Sequence, residues 1–224
     1  MYNFKNVEFI EYLKTRLTHN LPGINAQIKM AMRIGNSIFR KLTVSPTART
    51  SAVLILLNGV NSLNLLFTLR SSNLKKHSNQ ISFPGGRCDF DETPINAAIR
   101  ETYEETGILV EEKDILGKLS ELYVPPSDSY IVPFIAYVQK IQSINFNPSE
   151  VEEVFLIDLH KFVDDNIKKI KIMNIDGYNV ETPYWDVHPK VPLWGATSMI
   201  LSELITIYQE WLDNQLYDLS NISQ

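Results

Sequence analysis

Arg100, Glu101, Glu104 and Glu105 crowd one cation and three anions into the stretch RETYEETG. On a helix, residues three and four apart are neighbours, so the three glutamates project from one side. Each like-charged pair at that spacing costs roughly 0.2–0.5 kcal/mol in water. That is small enough for a plain solvated face, and it is also what a site for a positive group would look like. Carboxylate oxygens clustered around one point suit a hard cation such as Mg²⁺ or Mn²⁺, which keeps positions for water and a substrate phosphate. The chemistry of such an ion is hydrolytic. It neutralises phosphate charge, polarises the bond to be cleaved and lowers the pKa of a bound water.

The helix that must carry these groups is delimited by the sequence. Thr93 is a suitable N-cap, Pro94 fits the first turn, and Gly107 lies just past the end. A long loop, Ser71 to Thr93, leads into it and contains Gly85-Gly86, where backbone can approach a ligand with no side chain in the way. Before the loop, SAVLILL and NSLNLLFTLR read as two strands joined by a tight turn at Asn58-Gly59. The first is apolar throughout, the pattern of a central strand covered on both faces. After the helix, ILGKLSELYV, YIVPFIAYVQKI and EEVFLIDL read as strands, the last followed by a short helix. IKKIKIMNIDGYNVETPYW reads as a hairpin turning at Asp176-Gly177. An amphipathic helix from Ala196 to about Leu216 uses Ile200, Leu204, Ile207, Tyr208 and Trp211. At the other end, Ile10, Leu13 and Leu17 share one face of a helix ended by Pro22-Gly23. Strands with helices inserted among them predict an α/β (α+β) fold, a mixed β-sheet sandwiched between α-helices.

At 224 residues the chain is long for one domain and short for two. We expect a helical extension over 1–44 packed on the core, a catalytic domain over 45–216 and a tail over 217–224. A hydrophobic share of 44% is enough for a sizeable core. The net charge of −5 argues against nucleic acid as a partner, for which a basic patch would be needed. The longest apolar run, AVLILL, is far too short to span a bilayer, so no membrane partner is expected. The single cysteine, Cys88, cannot form an internal disulfide, and no secretory leader is visible; the expected location is cytoplasmic. Either terminal helix could cover the core or form a homodimer contact.

The wider spacing is more specific. Gly86, five residues, Glu92, seven residues, Arg100-Glu101, two residues, Glu104-Glu105, one residue and Gly107 resemble the Nudix box, G-x5-E-x7-R-E-U-x-E-E-x-G-U, at all seven fixed positions. At roughly 6–7% usage per residue type, a chance match is on the order of one in a million. Thr102 departs from the aliphatic residue the pattern prefers, whereas Ile108 fits the closing position. The resemblance implies the Nudix fold and a Mg²⁺ or Mn²⁺ cofactor. It also implies that Glu104 and Glu105 are metal ligands, with Glu101 a ligand or general base. Arg100 would orient the carboxylates, which makes Arg100, Glu101 and Glu104 the catalytic group. It further suggests the Gly86 carbonyl as a ligand, Glu92 as a brace for the loop, and Glu150 as an accessory acid if it is not simply a solvated loop residue.

The segment LRSSNLKKHSNQISFPGG is similar to the signature of the coenzyme A pyrophosphatase branch, with Arg70, Leu74, Lys75, His77, Gln80, Ile81, Phe83 and Pro84 in matching places. Asn79 stands where the branch has glycine, and asparagine tolerates left-handed backbone better than most residues. SPTARTSAVLILL and VPLWGATSMILSEL extend the resemblance from about Ser45 to Leu204. It implies hydrolysis of coenzyme A or acyl-CoA to 3′,5′-ADP and (acyl-)4′-phosphopantetheine, with Arg70, His77 and Gln80 binding substrate. Tyr130, Tyr184 and Trp185 are aromatic candidates for stacking on adenine, against the plainer reading of core packing, which is also the reading of Trp194. The rival readings are a pyrophosphatase for ADP-ribose or another nucleoside diphosphate derivative, and a non-catalytic nucleotide-binding module.

Overall fold

The computed structural model describes residues 3–38, 43–72, 78–175 and 177–222. In chain order the elements begin with α1 (Asn3–Arg16), α2 (Ile24–Gln27), β1 (Arg33–Ile34), β2 (Ser37–Ile38), β3 (Arg49–Asn58), β4 (Asn64–Arg70), β5 (Ile81–Ser82), β6 (Gly85–Arg87) and α3 (Pro94–Thr106). They continue with β7 (Ile115–Lys118), β8 (Leu122–Val124), β9 (Ser129–Val138), β10 (Val151–Asp158), β11 (Lys168–Ile175), β12 (Tyr178–Trp185), β13 (Leu193–Trp194) and α4 (Gly195–Ile222).

The central sheet runs in the order β10-β4-β3-β9-β7, with β3 and β9 parallel and the other neighbours antiparallel. Alternation explains why β3 is apolar throughout. Ala52, Leu54 and Leu56 meet Ala97 and Ala98 of α3, while Ile55 and Leu57 join the core beneath α1 and α4. Thr102 is fully buried against the sheet, and its hydroxyl donates to the Ala98 carbonyl at 2.6 Å, so the missing aliphatic side chain leaves no unsatisfied polar atom.

One departure from a simple hairpin creates the site. β3 and β4 pair only at Leu57↔Leu65 and Asn58↔Asn64, then separate. The opening is filled by the segment before α3: β5 pairs with β4 through Ile81 and Ser82, and β6 pairs with β3 through Gly85, Gly86 and Arg87. Gly85 has φ 152°, and a Cβ there would strike the Ala52 carbonyl and the Val53 backbone, so glycine is required. The loop expected between Ser71 and Thr93 is therefore partly sheet.

A second, antiparallel sheet runs β11-β12-β1-β2, with β13 on β12; its β11-β12 pair is the expected hairpin, and β1, β2 and β13 are additions to it. Its presence corrects the expected helical extension over 1–44, because β1 pairs with β12 at Arg33↔Glu181. α1 packs on α4 through Phe9, whose ring centroid lies 4.8 Å from that of Tyr208 and 5.3 Å from that of Trp211, and through the ion pair Arg16–Glu210 at 2.9 Å. α4 continues to Ile222, into the stretch expected as a C-terminal tail over 217–224. Among the described residues no helix is long and apolar enough to cross a membrane. Asp176, at the expected hairpin turn, lies outside the described residues, although Ile175 pairs with Tyr178 across it.

Glu203 of α4 locks these layers together. Its fully buried carboxylate accepts from the Gly23 N–H at 2.9 Å, Gln27 Nε2 at 3.1 Å, Ser120 Oγ at 2.7 Å and the Ser120 N–H at 3.4 Å. All four partners are neutral donors. Glu203→Gln turns an NH₂ toward donors and is expected to lower stability by about 2 kcal/mol in urea unfolding, with catalytic constants unchanged.

Candidate active site

α3 is built as its sequence dictates. The Thr93 hydroxyl accepts the Asn96 N–H, Pro94 occupies the first turn, and Gly107 closes the helix in the left-handed region with φ 71°. Its small residues Ala97 and Ala98 let it lie close to the sheet, and this tilts the glutamate face toward β6 and the start of β10.

The carboxylates occupy graded environments. Glu105 is the deepest, 1% exposed, and its oxygens accept from Arg70 Nη1 at 3.2 Å and from the Gly85 N–H at 3.3 Å. Burial pushes it up to about 7, a shift that Arg70 and the Gly85 N–H oppose and that Glu101 and Glu150 reinforce. Glu101 is also raised, first by burial and then by its neighbours Glu104 and Glu150, against the pull of Arg100. Its carboxylate lies where a Cβ on residue 86 would be, so Gly86 leaves the room that Glu101 fills. Glu104 is half exposed at the rim.

Arg100 organises the outer half of the cluster. Nη1 donates to Glu101 at 2.9 Å and Glu104 at 3.0 Å, while Nε and Nη2 each meet a Glu92 oxygen at 2.9 Å. The fork geometry and the Asp89 N–H hold the Glu92 carboxyl down at about 2. Nη2 also donates to the Arg87 carbonyl at 3.2 Å, so Arg100 and Glu92 together tie the loop to the helix.

The structure brings Glu150 to the same place. It precedes β10, where Val151 pairs with Arg70, and its charge acts on both Glu101 and Glu105. Arg70 was expected to meet substrate phosphates, but its guanidinium is engaged by Glu105, the buried anion beside it. Gln80 adjoins it through the backbone, its carbonyl accepting the Arg70 N–H at 3.0 Å. Asn79 has φ 55°, so the turn is made in the left-handed region despite the absence of glycine. His77, with Leu74, Lys75 and Lys76, lies outside the described residues. Trp185 is core, 2% exposed and edge-on to Phe162, so it is not a stacking platform; Tyr130 is on β9, in register with Tyr123.

These groups fit a divalent cation by their chemistry, since every donor is a hard oxygen and, among the described residues, the buried Glu105 has one cationic neighbour. Among the described residues no three acids are yet gathered closely enough to hold an ion. Two arginines provide the reason. Arg100 draws Glu101 and Glu104 to itself, and Arg70, whose buried Nε has no hydrogen-bond partner among the described residues, draws Glu105. In this arrangement the mutual repulsion of the acids is offset by guanidinium groups.

A glutamate-bearing helix laid over a glycine strand, with Glu150 arriving just before β10, is the arrangement of a hydrolase built to work with a metal. The NUDIX domain model matches residues 47–174, more than half of the chain, and the chain belongs to that family, whose hydrolases use divalent metal cations. It is similar to the human mitochondrial coenzyme A diphosphatase NUDT8, with 35% identity over 173 residues covering 72% of each chain. It is also similar to the probable nudix hydrolase C6G9.05 of Schizosaccharomyces pombe, with 33% identity over 185 residues, 81% of this chain and 64% of that protein. A MutT/nudix family protein from Enterococcus faecalis shares the fold at 16% identity, with a TM-score of 0.50 over 78% of this chain and 66% of that one.

Proposed function

We propose that the protein hydrolyses the diphosphate linkage of coenzyme A or an acyl-CoA, giving 3′,5′-ADP and (acyl-)4′-phosphopantetheine, with Mg²⁺ or Mn²⁺. The observation that carries the reaction type is the convergence of Glu101, Glu104, Glu105 and Glu150 from two elements on one end of the sheet. The substrate rests on the similarity to the human coenzyme A diphosphatase and on the segment from Arg70 to Gly86 that fills the opening between β3 and β4.

Glu101, Glu104 and Glu105, with the Gly86 carbonyl, would hold the ion, which supplies charge for the phosphates and acidity for a bound water. The chain's own residues do the rest. Arg100, which holds Glu101 and Glu104 in this structure, would leave them free to hold the ion while keeping Glu92 and the loop in place. Arg70, once Glu105 has a second cationic neighbour, is free to meet a phosphate oxygen. Glu101 and Glu150 are the acids positioned to take a proton from the attacking water. The single free cysteine suits a reducing compartment, in keeping with the cytoplasmic expectation.

The test is mass spectrometry of products from a mixed library of diphosphate compounds, run with Mg²⁺ and again with Mn²⁺. The expected products are 3′,5′-ADP and phosphopantetheine species. Cleavage of ADP-ribose far faster than of coenzyme A or acyl-CoA would replace this substrate by the other. Tight nucleotide binding with no product in either metal would make the protein a binding module.

A further inference from the structure

The second sheet carries a cation that the proposed chemistry does not use. β11 and β12 pair with Lys171 opposite Thr182 and Lys169 opposite Tyr184, and β13 sets Trp194 opposite Tyr184. Directly opposed antiparallel residues share a face, so these five side chains lie together, on the side away from Trp185 and Leu193 in the core. The Lys171 ammonium sits 5.2 Å from the Trp194 ring centroid and 5.8 Å from that of Tyr184. Lys169 is neutralised by Asp186, whereas Lys171 has no carboxylate partner among the described residues. Burial holds the Lys171 ammonium below the usual lysine value. Across the strand pair, the fully buried Thr182 Oγ1 has no hydrogen-bond partner among the described residues.

A partly desolvated ammonium on an aromatic floor, with no carboxylate partner among the described residues, is organised for an anion. The rings offset part of the cost of taking the lysine out of water, burial still disfavours its charged form, and a phosphate would add a charge-assisted hydrogen bond. The face is linked through β5 to the strand that carries Arg70. Trp194 leads into α4, whose Thr197 hydroxyl donates to the Ile81 carbonyl at 3.2 Å, and Ile81 follows Gln80, which is bonded to Arg70.

We propose that Lys171, seated on Tyr184 and Trp194, binds a phosphomonoester of the substrate remote from the bond that is cleaved. Its identity as the ribose 3′-phosphate rests on the coenzyme A reading; the anion site itself does not. The test is isothermal titration of metal-free protein with 3′,5′-ADP and with 5′-AMP, for the parent, Lys171→Met and Lys171→Arg. The parent is expected to prefer 3′,5′-ADP about tenfold, the effect of one such contact. Lys171→Met is expected to bind the two alike, with its affinity for 5′-AMP unchanged and its circular dichroism that of the parent, and Lys171→Arg to recover most of the preference. Equal affinities in the parent, binding of neither nucleotide, or a preference that survives Lys171→Met overturns the proposal. A parent that shows the lysine-dependent preference yet leaves coenzyme A intact keeps this site and removes the substrate reading instead.

Discussion

Glu105→Gln is expected to lower kcat by about 10³-fold at saturating metal, on the order of 4 kcal/mol of transition-state stabilisation. The glutamate is 1% exposed, and burial has already raised it to about 7. A buried carboxylate of that kind carries a standing free-energy cost, which a doubly charged ion would offset and a neutral amide would not. Folding should change little, within about 1 kcal/mol, because the lost pairing with Arg70 and the removed cost of burying charge act in opposite directions. Glu101→Gln should reduce turnover comparably, since Glu101 shares the same end of α3 and is likewise raised by burial. Steady-state rates for both variants, with urea unfolding alongside, check this; turnover within a few-fold of the parent contradicts it.

Gly86→Ala is expected to cost about 10²-fold in kcat while leaving the melting temperature within a few degrees of the parent. A methyl group at that position falls on Cδ and both oxygens of Glu101, the far end of a side chain that can rotate away. The backbone therefore survives and the carboxylate is displaced. Gly85→Ala is the informative contrast, because there the methyl strikes backbone of β3 at a φ of 152° and should reduce folding itself. Equal activity in Gly86→Ala and the parent would show that the Glu101 position has no bearing on the chemistry.

The catalytic helix was legible because its signals are local. Thr93, Pro94 and Gly107 mark its ends through the hydrogen bonds and backbone freedom that those residues supply, and the spacing of Arg100, Glu101, Glu104 and Glu105 sets one face. β3 was legible for a similar reason, as an uninterrupted apolar strand has to be covered on both sides. The insertion of β5 and β6 between β3 and β4 was not, because strands of two and three residues have no period to detect. Nor was the extension of the β11-β12 hairpin by β1 and β2, which are two residues each and of which β1 pairs with β12, far away in sequence. The charge pairing of the site depended on such distances too. Arg70 and Glu105 are 35 residues apart, and Arg70 read alone was a phosphate ligand. Glu150 reads equally well as a solvated loop residue until the register of β10 against β4 brings it to the other acids.

The account stands on the acids of α3 exchanging two guanidinium partners for a metal ion. Anomalous diffraction from crystals soaked in Mn²⁺ measures this most directly. A manganese peak among the Glu101, Glu104 and Glu105 carboxylates, with the Arg70–Glu105 contact broken, is the predicted result. A crystal that binds manganese elsewhere, or not at all, with both arginines still holding those glutamates, would contradict it.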